Sequence, residues 1–299
     1  MNYINKYCNS LMLIDGKQIS KNIMEELSSE IKTITSKLGR APYLSIILIG
    51  NNPASEVYVR EKLKACKYVG IFGNLTRFDS SASEEEIESD IKKKNDNKDV
   101  DGILLQLPLP DHLDSEKLIE FIDPNKDVDG LTTENIGLLV SGNPRFVPAT
   151  PLGIIELINR MGVELKGRNV VIVGRSKIVG RPLSIIMSGK GANSNATVTL
   201  CHSWTGNLID FTSQADVLIV STGSANTING SMIKKGAIVI DVGINKIEDQ
   251  TKKSGYRLVG DVDFDSAKTK ASMITPVPGG VGPMTIAMLM KNVSLSTKL

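Results

Sequence analysis

Tyr58 and Lys62 stand four residues apart in a stretch with helical periodicity, so they share one face of the helix. An aromatic ring beside an amine can hold a flat ligand and exchange a proton with it, although ordinary surface pairs show the same spacing. Gln106 lies between Leu105 and Leu107 near the end of the apolar run Val100–Leu107. Ligands bind at that strand edge in open α/β sheets. A carboxamide there can donate to one partner and accept from another, and an amide satisfied by backbone fits the same pattern. Asp127 and Asp129 flank Val128 in a Lys-Asp-Val-Asp-Gly turn. No further acidic ligands accompany these two carboxylates, so no metal is expected.

Two further stretches point to ligand binding. Thr275–Thr285 holds three prolines and three glycines. Such a segment fixes a contorted backbone that can come close to a ligand, and a linker would be more polar. The apolar run Val170–Val173 ends in Gly174, and Arg175, Ser176 and Gly180 precede a helical stretch. This is the place of the phosphate-binding turn in a doubly wound fold. Backbone N–H groups at the helix start can hold a pyrophosphate. The loop reads G-x-S-x-x-x-G rather than G-x-G-x-x-G, and a plain strand-turn-helix also uses glycine, so the turn alone leaves both readings open. The next strand, Thr197–Leu200, runs into Cys201-His202-Ser203-Trp204 without the acid that holds the ribose of NAD. Arg175 and Ser203 suit a 2′-phosphate, which favours NADP.

These residues need elements to hold them. Apolar spacing predicts helices over Ser20–Leu38, Ser55–Tyr68, Glu84–Lys94, Ser115–Ile122, Gly153–Met161 and Met284–Val293. Predicted strands are Leu44–Ile49, Asn74–Phe78, Val100–Leu107, Val170–Val173, Thr197–Leu200, Val217–Val220, Ala237–Val242 and Arg257–Val259. Strand–helix alternation with short links predicts parallel sheets covered by helices, an α/β fold.

Composition narrows the chemistry. The chain has 299 residues, with 35 Lys and Arg against 33 Asp and Glu. That balance gives no basic surplus for nucleic acid. Hydrophobic residues make up 41% and charged residues 23%, the profile of a soluble globular protein. No apolar run reaches the ~18 residues of a membrane span. Cys8, Cys66 and Cys201 are too scattered for a disulfide framework, and reduced thiols fit a cytoplasmic chain. With only His112 and His202, a three-histidine metal site is impossible, and no G-x-S-x-G elbow is present. Met1–Ser10 has neither a secretory nor a mitochondrial pattern and reads as a short flexible extension, with Met12 as a candidate start.

Taken together, Tyr58–Lys62, Gly102–Pro110, Lys126–Gly130, Gly174–Pro182 and Thr275–Thr285 resemble the methylenetetrahydrofolate dehydrogenase/methenyltetrahydrofolate cyclohydrolase family in order and spacing. Asp241–Asn245 and Gly260–Val262 match as well, and the resemblance spans about Leu13 to Val293. It implies an α/β protein of two domains with a folate cleft between them. Residues 1–150 would form the folate-binding catalytic domain, with a C-terminal helix over 283–299 packing back on it. Residues 151–282 would form the Rossmann-type nucleotide domain. The implied chemistry is oxidation of 5,10-methylene-tetrahydrofolate by NADP, then hydrolysis of the 5,10-methenyl product to 10-formyl-tetrahydrofolate.

The resemblance also implies roles. Lys62 would be the main catalytic residue, chiefly in the hydrolysis. Tyr58 would stack on the aminobenzoate ring, Gln106 would hydrogen-bond Lys62, and Asp129 would hold the amino edge of the pterin. Leu105, Leu107 and the stretch Pro278, Gly279, Gly280, Val281, Gly282, Pro283, Met284, Thr285 and Ile286 would line the folate site. Gly174, Arg175, Ser176, Gly180, Ser203 and Ile244 would hold NADP. A homodimer is implied, with no nucleic-acid or membrane partner. Trp204 departs from the family, where a small or basic residue is more usual, and would narrow the adenosine site or alter affinity. Ser221-Thr222-Gly223 varies the commoner Ala-x-Gly. The competing readings are a dehydrogenase without hydrolysis, an NAD-linked form and a non-catalytic nucleotide module. The presence of Tyr58, Lys62 and Gln106, the absence of an acid after Leu200, and the intact Pro/Gly loop count against them in turn.

Overall fold

The computed structural model describes residues 11–191, 193–252 and 255–299. The expectations for Met1–Ser10, and for Cys8 within it, fall outside them. The first half runs β1 (Met12–Leu13), α1 (Gly16–Leu38), β2 (Tyr43–Ile49), α2 (Pro53–Val69), β3 (Phe72–Phe78), α3 (Glu84–Asp96), β4 (Gly102–Leu105), α4 (Ser115–Glu120) and α5 (Thr133–Val140). The second half runs α6 (Ala149–Arg160), β5 (Asn169–Val173), α7 (Gly180–Ser188), β6 (Thr197–Cys201), α8 (Ile209–Thr212), β7 (Val217–Val220), β8 (Ile238–Asp241), β9 (Asn245–Glu248), β10 (Tyr256–Val259), α9 (Phe264–Ala267), β11 (Met273–Ile274) and α10 (Val281–Ser296).

Two units emerge. One joins Ser20–Leu152 with Thr285–Leu299, and the other joins Gly153–Met284 with the described residues 11–19. In the first, a parallel sheet of order β3-β2-β4 has β2 in the middle. Leu44 and Ile46–Ile49 on β2 are all essentially inaccessible, as a strand covered on both faces must be. Each such side chain contributes about 1.5–3 kcal/mol of burial. Helix α2 is set by local chemistry: the Asn52 side chain caps it by accepting from the N–H groups of Ala54 and Ser55, and Pro53 opens it. It therefore begins two residues before the expected Ser55. The last stretch of α10 belongs to this unit: the Asn292 side chain donates to the carbonyls of Val128 and Val147, and Cys66 Sγ lies 3.6 Å from Met290 Sδ.

The second unit holds a six-stranded parallel sheet of order β1-β11-β8-β7-β5-β6. Its core is built on Val171, Val173, Leu218, Val220, Val239 and Ile274. The N-terminal residues join it because β1 adds to β11 at the sheet edge. The expected strand Arg257–Val259 exists, but it does not belong to the parallel series. It forms β10 and pairs antiparallel with β9 as a separate hairpin. Its partly exposed Tyr-Arg-Leu-Val sequence cannot take a central position between buried strands. Helices α5, α8 and α9 and the short strands β1, β9 and β11 are not among the expected elements.

Candidate active site

Ser55, Val59, Lys62, Cys66 and Val69 form the buried stripe of α2. Lys62 thus takes a position that helical geometry reserves for an apolar side chain, and it is 8% exposed. Its Nζ donates to Gln106 Oε1 at 2.9 Å. Gln106 sits one residue beyond β4, where its N–H still bonds to Ile47 and holds the ladder register. Its own Nε2 donates to the Leu107 carbonyl at 2.6 Å. That second bond fixes which end of the amide faces the lysine.

The Lys126–Gly130 turn is laid beside β4 by the bond from Ile103 N–H to the Lys126 carbonyl, 2.7 Å. Val128 packs against Gly102. The two carboxylates then part company. Asp127 is buried and occupied: its Oδ2 accepts from Thr132 N–H and from the Asn135 side chain. Asp129 interacts with Lys62 instead. Burial pushes the Lys62 amine below the ordinary lysine range, and the charge of Asp129 partly opposes this. Burial pushes the Asp129 carboxyl up, with Lys62 lowering it and Asp127 raising it. The Cys66 thiol, one turn after Lys62, is pushed up to about 12 by burial, so it stays neutral. Tyr58 is partly buried one turn before Lys62, and burial raises its phenol. The arrangement loosens the amine's hold on its proton and sets it beside an uncharged acceptor.

In the other unit, the ends of β5 and β6 lie side by side, with Val173 opposite Cys201 and Gly174 N–H bonded to the Cys201 carbonyl. Gly174 has φ +121°, and a Cβ there would overlap Ser221. A Cβ on Gly180 would overlap the Gly174 carbonyl. Helix α7 begins without a side-chain cap. Arg175, Ser176 and Ser203 are exposed at these two adjacent strand ends. Tight glycine turn, uncapped helix start, cation and hydroxyls fit a phosphorylated dinucleotide. Ile244, 41% exposed, would meet a Cβ on Gly282 at 3.4 Å.

The family model for the tetrahydrofolate dehydrogenase/cyclohydrolase catalytic domain matches residues 14–129, and that for its NAD(P)-binding domain matches residues 148–299. The chain belongs to the tetrahydrofolate dehydrogenase/cyclohydrolase family. It is 47% identical over 286 residues to the bifunctional protein FolD of Flavobacterium psychrophilum, covering 96% of this chain and 97% of that one. The FolD of Chloroherpeton thalassium is 50% identical over 284 residues, 94% of this chain and 97% of its own. Among solved structures, the bifunctional FolD of Campylobacter jejuni superposes with a TM-score of 0.91 at 43% identity, covering 97% and 99% of the two chains. The Trypanosoma brucei dehydrogenase-cyclohydrolase, solved with NADP cofactor and inhibitor, gives 0.91 at 38% identity, covering 97% and 98%.

Within this family member, Lys62, Gln106 and Asp129 form one cluster, and Tyr58 stands on the same helix. Leu105 is buried and Leu107 partly buried beside Gln106. In the Pro/Gly loop, Val281 and Met284 are buried, and so is Gly280. Pro278, Gly279, Gly282, Pro283, Thr285 and Ile286 keep accessible surface. The loop is tied down by the bond from Lys17 N–H to the Gly279 carbonyl and by Thr275 Oγ1, which accepts from Asp241 N–H. Thr285 Oγ1 lies 3.0 Å from Thr150 Oγ1.

One pair of side chains was given no role from the sequence. Asp241 is buried, and it accepts from the N–H groups of Gly243, Asp261 and Val262. Asp261 is buried too, and it accepts from Thr222 and Gly223 N–H and from the Asn245 side chain. Together they hold the loops that follow β7 and β8. The available signal was an acid inside the apolar run Ala237–Val242.

Proposed function

We propose that this protein oxidises 5,10-methylene-tetrahydrofolate with NADP and hydrolyses the 5,10-methenyl product to 10-formyl-tetrahydrofolate, with Lys62 central to the second step. The observation that carries the residue assignment is the buried Lys62 amine donating to Gln106 Oε1. The nicotinamide, when bound, supplies the oxidant of the first step. Gly174, Arg175, Ser176, Gly180, Ser203 and Ile244 are the residues assigned to hold NADP.

Hydrolysis of the methenyl product needs water to attack a cationic carbon and lose a proton. An ordinary lysine is protonated at neutral pH and cannot take it. Desolvation already lowers the Lys62 amine, and a cationic substrate beside it lowers it further. Gln106 aligns the amine through a neutral oxygen, whereas a carboxylate there would keep the amine protonated. The lone pair of the neutral amine is then free to receive one proton from the attacking water, and the neutral hydroxy adduct opens by breaking its C–N5 bond, N5 keeping the electron pair and taking the hydroxyl proton as the formyl C=O forms on N10. We assign Asp129 to the pterin amino edge and Tyr58 to the aminobenzoate ring. Leu105, Leu107 and the accessible residues of Pro278–Ile286 are assigned to the folate site. A homodimer in the cytoplasm belongs to the same reading, and light scattering on the purified protein reads the assembly. Among the described residues no helix is long and apolar enough to cross a membrane.

The test follows both steps at once. Initial rates are taken with 5,10-methylene-tetrahydrofolate and either NADP or NAD, recording reduced nicotinamide and methenyl product together. Wild type should reduce NADP without lasting methenyl. Lys62→Met should let methenyl accumulate, with cyclohydrolase turnover down about 100-fold or more, the usual weight of a general base. Normal cyclohydrolase turnover in that variant would remove Lys62 from the mechanism.

A further inference from the structure

Trp204 is the only tryptophan of the chain, and it is 85% exposed, more than any other large hydrophobic side chain in the described residues. An indole left in water gives up its share of burial energy. Its backbone is nevertheless firmly held. Thr205 N–H bonds to the His202 carbonyl at 2.8 Å, His202 N–H to Thr205 Oγ1 at 2.8 Å, and Trp204 N–H to His202 Nδ1 at 3.2 Å. A braced turn that carries a bare aromatic ring is preorganised for a flat partner.

The place of the turn identifies that partner. It leaves the end of β6 beside the end of β5, where Gly174 and Arg175 begin the glycine turn. Ser203, adjacent to Trp204, is assigned with Arg175 to the 2′-phosphate. In NADP the 2′-phosphate and the adenine are carried on neighbouring carbons of one ribose. A ligand whose phosphate meets Ser203 therefore brings its adenine within reach of the residues that flank it, of which His202 is engaged by the Trp204 N–H and Trp204 presents its ring to solvent. We propose that the Trp204 indole is the stacking platform for the adenine of NADP. This rests on the assignment of NADP to the turn at Gly174–Gly180. It also divides the labour: Arg175 and Ser203 read the phosphate, while Trp204 adds affinity through a ring that NADP shares with NAD.

Because Trp204 is the sole tryptophan, its emission reports on this one position. The full-length protein is titrated with adenosine 2′,5′-bisphosphate, NADP and nicotinamide mononucleotide, by fluorescence and by calorimetry in parallel. The first two should quench the emission with midpoints that match calorimetry, and the third should leave it unchanged. Trp204→Ala should weaken the bisphosphate and NADP alike by about five- to 150-fold, the range for loss of one base–aromatic stack. Trp204→Phe should keep most of the affinity. The exposed position predicts an unchanged Tm in both variants, so a loss of binding is not a loss of fold. Calorimetric binding of the bisphosphate with unchanged emission, and a Kd within about twofold in Trp204→Ala, would overturn the stacking role and leave the nucleotide assignment standing. No calorimetric binding of either adenine nucleotide to the wild type would overturn both.

Discussion

At the scale of single residues, the decisive contrast is between a neutral and a charged neighbour for one amine. Gln106 and a glutamate have nearly the same shape, yet a carboxylate 2.9 Å from Lys62 Nζ would stabilise the ammonium. Gln106→Glu should raise the Lys62 pKa, as an opposite charge at this range does. The cyclohydrolase rate at neutral pH should then fall about tenfold or more and recover as pH is raised. A pH–rate profile measured on both proteins checks this, and superimposable profiles would show that Lys62 does not titrate in the rate-determining step. The sequence made this pair legible only in part. A lysine at a stripe position of α2 and an amide at a strand end are each common, and only the register of β2 with β4 shows that they meet. Asp127 and Asp129 were not separable by spacing at all. What distinguishes them is that Thr132 and Asn135 occupy the first and leave the second to Lys62.

At the scale of elements, long periodic or apolar segments were readable, because a helix stripe or a doubly covered strand leaves a pattern in the sequence. α1, α2, α3, β2, β5 and β7 are of this kind. The two-residue β1 and β11 and the mostly polar β9 (Asn-Lys-Ile-Glu) carry too little apolar pattern, and their existence is decided by neighbouring edges. Backbone contact is equally silent until the fold is known. A Cβ on Gly180 would overlap the Gly174 carbonyl, whereas one on Gly137 in α5 meets nothing within 4 Å. Gly180→Ala should therefore force α7 away from the turn, at a cost of about 1–3 kcal/mol for overpacking, and weaken NADP by at least about tenfold. Gly137→Ala should stabilise by about 0.5–1 kcal/mol through helix propensity and leave NADP binding alone. Chemical denaturation and calorimetry on the two variants read both effects, and equal behaviour would show that the close approach at Gly180 is not needed.

For the whole molecule, positive and negative charges nearly cancel, so stability should follow individual buried groups rather than overall repulsion. Asp241 is the clearest of these. Burial raises its carboxyl to about 6, and this outweighs the three N–H groups that hold its charged form. An unfolded aspartate titrates near about 4. The folded chain thus binds the proton more tightly, and the resulting stability is complete below about pH 4 and lost as pH rises through about 6, roughly 3 kcal/mol in all. Surface carboxylates tilt the other way: Glu30 beside Lys298 and Asp216 beside Lys234 are held low and lose their contribution in acid. Glu30 is exposed and Asp216 partly exposed, and solvent screens both pairs, so their weight is small. Asp241→Asn separates the two effects. Asn keeps an acceptor for Gly243 and Asp261 but turns an amide N–H₂ toward the N–H of Val262, a mismatch worth about 1–3 kcal/mol at every pH. It also removes the titration. In urea unfolding at pH 4, 5, 6 and 7, the stability of wild type minus variant should therefore be largest at pH 4 and shrink by roughly 3 kcal/mol toward pH 7. A difference that stays flat across that range would mean Asp241 ionises as it does in the unfolded chain, and that the loops after β7 and β8 are held by a fully charged carboxylate.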